Sequence, residues 1–145
     1  MSLRSLRDVE VQEETWSPYE GARVLFEEMM ALLSSSKMRS STHGEVEDQL
    51  HEDMLELGRR LFQGHLDERG DGDMGSELEG SDGVVRERKR RRGRELETKF
   101  GTVEVERFSY EAKGCESLHP KDADLNMPTR RYSHPLTKQV VHEVA

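Results

Sequence analysis

A run of basic residues between positions 86 and 94 is the part of this chain best suited to bind an anionic ligand. Seven of its nine residues are Lys or Arg and one is Glu. Arginine pairs well with phosphate, and such binding is salt-sensitive because it releases counterions. The run therefore predicts contact with DNA or RNA; the alternative is a solvated strand balanced by nearby acids. The candidate phosphate contacts are Arg86, Arg88, Lys89, Arg90, Arg91, Arg92 and Arg94, with Lys99 and Arg107 as additions.

A second, mixed cluster follows the basic run. Cys115 and His119 are four residues apart and could supply half of a zinc site, but no second pair of ligands is evident. Asp122 and Asp124 could be imagined as a metal-nuclease pair, although two carboxylates alone are weak evidence. We expect a structural loop here, with the aspartates in a turn or helix cap. No residue is assigned to catalysis or to a metal.

The acidic, glycine-rich stretch that precedes the basic run reads ERGDGDMGSELEGSDG. Its alternating Asp71 and Asp73 resemble the start of a calcium loop, yet Gly75 occupies the next ligand position and Asp82 the position of the closing Glu. We therefore predict a linker over residues 68–85 without a bound metal.

Charge is unevenly distributed along the 145 residues. Residues 1–85 carry 8 Lys/Arg against 20 Asp/Glu, residues 86–94 carry 7 against 1, and residues 95–145 carry 7 against 9, which gives −8 in all. The apolar fraction is 32% and the mean hydropathy −0.89, so a compact core should involve only part of the chain. A single cysteine and a polar amino terminus predict a cytoplasmic protein with no membrane partner.

Two amphipathic helices are predicted before the acidic stretch. Apolar residues recur at helical spacing from Tyr19 to about Leu33 and again from Val46 to Leu66. Thr42 or Ser41 is a suitable cap for the second helix, with Glu45 in its first turn. The pattern indicates a helical hairpin over residues 19–67, after a disordered lead-in over residues 1–18.

Strands are predicted after the acidic stretch. Residues 95–110 alternate apolar or β-branched with charged residues, so 88–99 and 102–110 should pair as a hairpin with Phe100-Gly101 at or near its turn. This places a basic β-hairpin at 86–112 and a loop at 113–132. Ser133 is a suitable cap for a helix over 133–145 that the sequence leaves unfinished. The predicted fold class is α+β.

Three motifs in the second half carry a resemblance to a known family. The chain contains FGxVxVxR at residues 100–107, LHPxDxxLN at 118–126 and RYSH at 131–134. In this order, and with the helix and the basic strand before them, they resemble the amino-terminal region of the Kra-type insertion-sequence (ISKra family) transposases, over roughly residues 20–145.

The resemblance implies a bacterial mobile-element protein. Full-length relatives would cut and join DNA through a metal-dependent RNase H-like domain with three acidic residues and Mg²⁺, and that domain follows the region seen here. We therefore expect a truncated transposase that helps to recognise transposon ends, is not an enzyme and holds no cofactor of its own. Self-association or pairing with a full-length transposase would accompany DNA binding. The alternative is a non-enzymatic interaction module that acts through its amphipathic helices.

Overall fold

The computed structural model describes residues 17–144, and the side chains of residues 17–139. Within this range the chain has a mixed α+β fold, which confirms the predicted class. The predicted lead-in lies outside the described residues except for its last two positions. The elements, in chain order, are α1 Glu20–Leu33, α2 Ser36–Arg39, α3 His43–Glu68, β1 Leu78–Glu79, β2 Val85–Arg86, β3 Arg88–Thr98, β4 Gly101–Glu111, α4 Pro120–Asp124 and α5 His134–Val144.

The first two long helices, α1 and α3, pack against each other as predicted. The Thr42 hydroxyl accepts a hydrogen bond from the Glu45 amide at 3.3 Å, so the predicted cap of α3 is confirmed. Gly64 allows the start of α1 to approach closely, because a Cβ atom there would lie 2.6 Å from the carbonyl oxygen of Pro18. The link between the two helices contains the short helix α2, which sequence periodicity did not predict.

Strands β3 and β4 form the long antiparallel hairpin. Their register runs from Arg88 opposite Glu111 to Thr98 opposite Gly101. The turn residues are therefore Lys99 and Phe100, which agrees with a turn at or near Phe100-Gly101, although Lys99 was expected to end β3. Gly101 begins β4 with φ of +110°, a conformation that glycine adopts without steric cost.

The core lies between α3 and one face of this hairpin. A two-stranded sheet is marginal in water, so it needs a packing partner on at least one face. The core consists of Leu66 of α3 with Leu96, Val103 and Val105 of the hairpin. Phe62, Leu125 and Met127 pack around these residues.

The outer edge of β4 is hydrogen-bonded to other parts of the chain from Glu104 to Tyr110. The Gln63 side-chain amide accepts from the Glu104 N–H and donates to the Glu104 carbonyl, both at 2.8 Å, and so takes the place of a neighbouring strand. Farther along the same edge, Lys121 Nζ donates to the Glu106 carbonyl, the Phe108 N–H donates to the Asp71 carbonyl, and Tyr110 exchanges backbone hydrogen bonds with Leu118.

Two segments predicted as irregular contain regular structure. Residues 68–85 include β1 and part of the β1–β2 pairing, in which Leu78 lies opposite Arg86. Residues 113–132 include α4, which begins with Pro120 at its first position. Both elements are too short to show in hydrophobic periodicity, so long-range contacts rather than local pattern establish them.

Helix α5 begins as the sequence indicated. The Ser133 hydroxyl accepts a hydrogen bond from the Leu136 amide at 3.2 Å, and Pro135 lies in the first turn. The Ser133 N–H also donates to the Glu97 carbonyl, which anchors the start of the helix to β3.

None of the helices within residues 17–144 is both long and apolar enough to cross a membrane.

The packing of α3 on the hairpin predicts a large effect for Leu66→Ala. Leu66 is 2% exposed, so removing its side-chain atoms should lower the free energy of unfolding by about 2–5 kcal/mol. Leu55→Ala on the same helix is the matched control, because Leu55 is 40% exposed and should cost less than about 1 kcal/mol. Urea unfolding followed by circular dichroism measures both. Equal losses would contradict the assigned core.

Candidate nucleic-acid interface

The hairpin register separates the basic run into two faces. Because successive side chains of a strand point to opposite faces, Arg88, Arg90 and Arg92 lie on one face and Lys89 and Arg91 on the other. We call Arg88, Arg90 and Arg92 the arginine row. Across the hairpin the row faces Glu111, Ser109 and Arg107.

The arginine row shares one carboxylate. Glu111 lies 3.9 Å from Arg88 Nε, 3.6 Å from Arg90 Nε and 3.1 Å from Arg92 Nη2. The Glu111 side chain is 18% exposed, whereas the three arginine side chains are 63%, 41% and 47% exposed, respectively. Three positive charges against one negative charge leave this surface with a positive excess that solvent can reach.

On the opposite face the positive charges are matched by acids. Lys89 Nζ lies 2.6 Å from Asp73, and Arg91 pairs with Asp71 at 3.1 Å and with Glu106 at 3.8 Å. The hydrogen bond from Lys89 lowers the pKa of the Asp73 carboxyl, and the same bond raises the pKa of Lys89. On this face the geometry fits the alternative interpretation of the basic run, in which nearby acids balance the charges of the strand.

Tyr110 holds the acidic segment against that face. Its buried hydroxyl donates to the Gly75 carbonyl and accepts from the Met74 N–H, both at 2.8 Å. The ring of Phe108 lies beneath the two cations, with Lys89 Nζ 4.3 Å and the Arg91 guanidinium carbon 5.6 Å from its centroid. Backbone and aromatic contacts therefore fix the acids where they neutralise Lys89 and Arg91.

Arg86 differs from the rest of the predicted set. It is 2% exposed, and its guanidinium donates to both Asp82 oxygens at 2.9 Å and to the carbonyls of Val84 and Glu116 at 3.0 Å. The bonds from Arg86 to the Asp82 carboxylate lower the pKa of Asp82 to about 2, with help from the Val84 N–H. The donors of Arg86 are engaged inside the fold, so Arg86 does not reach phosphate as the sequence predicted. Instead it joins the β1–β2 turn to the segment after β4.

Arg94 and Arg107 converge on Asp122 in α4. Arg107 Nε lies 3.1 Å and Arg94 Nη1 3.4 Å from this carboxylate, and Arg107 also donates to the Arg92 carbonyl at 2.9 Å. Both side chains are mostly buried. They line an open depression of about 630 Å³ with His119, whose pKa is lowered chiefly by burial. Lys99 is exposed at the turn, at the other end of the hairpin from the row.

The mixed cluster of the sequence is dispersed among structural roles. Asp122 pairs with arginines, Asp124 pairs with Arg69, and Cys115 is a half-buried free thiol. Among the described residues, no group of three or more His, Cys, Asp and Glu side chains is arranged to hold a metal ion.

Sequence reasoning identified the basic run but missed Glu111 and Asp122 as the carboxylates that organise it. The sequence did contain one signal for the two faces. If residues 88–92 form a strand, the period of two places three arginines on one face and one lysine and one arginine on the other. The positions of the acids depend on strand pairing and on α4, which no local pattern specifies.

Comparisons of the chain with protein-family models, with curated proteins and with solved structures find no match.

The buried position of Arg86 predicts that Asp82→Asn destabilises the fold. The variant leaves a buried guanidinium without its counter-charge, so Tm should fall by several degrees at neutral pH. Because the folded pKa of Asp82 is lowered to about 2, its stabilisation is present above the ordinary pKa of 3.8 and is lost as the pH falls through about 2. The Tm difference should therefore shrink between pH ~4 and ~2.

Thermal unfolding followed by circular dichroism at several pH values measures this effect. The control is Glu77→Gln, an exposed acid of the same segment. If the two variants lower Tm equally, or if the Asp82→Asn deficit does not depend on pH, the assigned role of the ion pair is wrong.

Proposed function

We propose that this chain is the amino-terminal DNA-recognition and positioning region of an insertion-sequence transposase of the Kra type that it resembles. It binds DNA phosphates through the arginine row and performs no transposition chemistry of its own. One observation carries the proposal: three arginines on one face of a strand, with side chains 41–63% exposed, share a single carboxylate. The proposed activity places the protein in the bacterial cytoplasm with the DNA.

The spacing of the row supports contact with a nucleic-acid backbone. Residues two apart on a strand are separated by about 6.8 Å, since an antiparallel strand rises about 3.4 Å per residue. One strand of B-DNA carries a phosphate about every 3.4 Å along the helix axis. Because the DNA backbone also winds around the axis, neighbouring phosphates are farther apart through space than this axial rise, and the spacing of the row is of the same order as the distance between neighbouring phosphates.

The row should position DNA without reading its sequence. Phosphate contacts fix register and orientation, whereas sequence is read at base edges or through DNA shape. Arg94 and Arg107 support the row indirectly, because their shared bond to Asp122 fixes α4 beside the strand that carries it.

The motifs behind the family resemblance meet in space, which supports treating them as one structural unit. Arg107 closes FGxVxVxR, and its partner Asp122 lies in LHPxDxxLN. Arg131, which begins RYSH, lies 2.7 Å from Glu95 and 3.0 Å from Glu97 of β3. Under the proposal, these contacts hold the hairpin in place for DNA, while Mg²⁺ chemistry belongs to the catalytic domain of full-length relatives.

A second candidate function is a non-enzymatic protein-interaction module. The observation that favours it is a set of large apolar side chains exposed on one side of α1 and α3. Under this alternative the arginine row is only solvated, so the two candidates differ in their response to DNA.

Two double variants with the same change in charge test DNA binding. The first is Arg90→Ala/Arg92→Ala, and the second is Lys89→Ala/Arg91→Ala. Each double variant removes two positive charges from the same stretch of β3, but only the first alters the row. We expect Arg90→Ala/Arg92→Ala to weaken binding and to reduce the slope of log K against log salt by about 2, since each phosphate contact contributes about 1. The second double variant should reduce the slope by less than about 1, because its cations are already paired.

Fluorescence anisotropy with a labelled duplex, from about 50 to about 200 mM salt, measures both slopes. Equal changes in the two variants would mean that net charge rather than the row governs binding. Absence of binding by the unmodified chain at the lowest salt would contradict the DNA-binding function itself.

A further inference from the structure

The helical hairpin carries an uncovered apolar surface on the side formed by one edge of each helix. Its side chains follow helical spacing along α1 and again along α3, so they form two adjacent rows. Their exposed fractions range from 38% to 51%. We call this surface the apolar stripe; it consists of Phe26, Met30 and Leu33 of α1 and Leu50, Met54 and Leu61 of α3.

The stripe is distinct from the packing surface that α3 uses in the fold. Phe62 and Leu66 of α3 meet the β-hairpin. Leu61 immediately precedes Phe62, and one residue corresponds to about 100° of helix rotation, so the stripe lies on a different side of α3 from that contact. No described element packs over it, and six large apolar side chains in one patch are more than scattered surface residues explain.

We infer that a second copy of this chain covers the apolar stripe, so that two helical hairpins form a four-helix bundle with two-fold symmetry. This inference goes beyond DNA binding and rests on the second candidate function, whose partner it names. A two-fold contact uses the same patch on both copies, so one self-complementary apolar surface is sufficient. Bundles of antiparallel helices with short links bury such stripes in their centre.

The area of the stripe is large enough for a dimer. Six side chains that are nearly half exposed, each with an area of roughly 200 Å², present about 500 Å² per copy. Two copies would therefore bury about 1,000 Å² of apolar surface before the polar rim is counted. Specific interfaces bury at least about that much in total.

The shape of the stripe favours a two-helix partner over a single helix. The α1 row extends from residue 26 to 33 and the α3 row from 50 to 61, which correspond to about 10 Å and 16 Å of helix. Both helices contribute three side chains each, so the patch is two helices wide. A second hairpin has the same width and length, whereas one peptide helix would cover only the groove between the rows.

Charge gives this dimer a distinctive salt response. Residues 20–68 contain 11 Asp/Glu and 5 Lys/Arg, a net charge of −6, so two hairpins repel each other at low ionic strength. Added salt screens this repulsion and should strengthen the dimer. The same change weakens binding of DNA phosphates, so the two interactions can be followed separately in one series of buffers.

Analytical ultracentrifugation of the full chain tests the inference. We expect a concentration-dependent species of twice the 16.7 kDa chain mass, more abundant at higher salt. Met30→Asp should abolish it, because the charge lies within the stripe. Val24→Asp is the matched control on the same helix: Val24 is 44% exposed but lies six residues, or about 240°, from Met30. It should leave the dimer intact, and circular dichroism should show both variants folded.

Two results would overturn the inference. A dimer that Met30→Asp and Val24→Asp affect equally would use another surface. A chain that stays monomeric at every concentration and salt would not pair with itself. In that case, binding of an apolar fluorescent dye distinguishes the remaining possibilities. If the chain binds the dye and Met30→Asp does not, the stripe is an interaction surface for a different partner. If the chain does not bind the dye, the second candidate function is wrong as well.

Discussion

A two-stranded β-ribbon is not stable alone in water, and the arrangement of the other described elements follows from that constraint. Helix α3 covers the apolar half of one face through Leu66, and Gln63 of the same helix hydrogen-bonds to the β4 edge. The acidic segment covers the opposite face and is fixed there by the Tyr110 hydroxyl. The hairpin thus has support on both faces and along one edge, and its basic side chains acquire defined environments.

The distribution of carboxylates determines which of these cations face solvent with unbalanced charge. Glu111 pairs with three arginines, and Asp122 pairs with Arg94 and Arg107. On the other face, three acids pair with Lys89 and Arg91. A sequence count of seven basic residues in a run therefore overestimates the available surface, because the described structure leaves three of them in an exposed row with one shared counter-charge.

Much of the architecture could be predicted from sequence, because it has local causes. The period of the apolar residues predicted α1 and α3, Thr42 and Ser133 predicted two helix starts, and alternation predicted β3 and β4. The burial of Arg86 could not be predicted, since it depends on a carbonyl 30 residues away, that of Glu116. The exact turn residues could not be predicted either, because Gly101, with positive φ, pairs with Thr98 within the ladder instead of occupying the loop.

The electrostatic asymmetry of the fold connects the two proposed interactions. The helices carry net negative charge and the face beside Lys89 has acids in place, so both surfaces repel a nucleic-acid backbone. Under the proposed function, the arginine row is then the surface at which a duplex can approach without meeting like charge, and this restricts its orientation on the protein. The apolar stripe lies on α1 and α3 and the arginine row lies on β3, so the two proposed interactions use different surfaces. Under the two proposals, the acidic helices keep DNA from competing for the dimer surface, and the paired acids limit DNA contact to one face of β3.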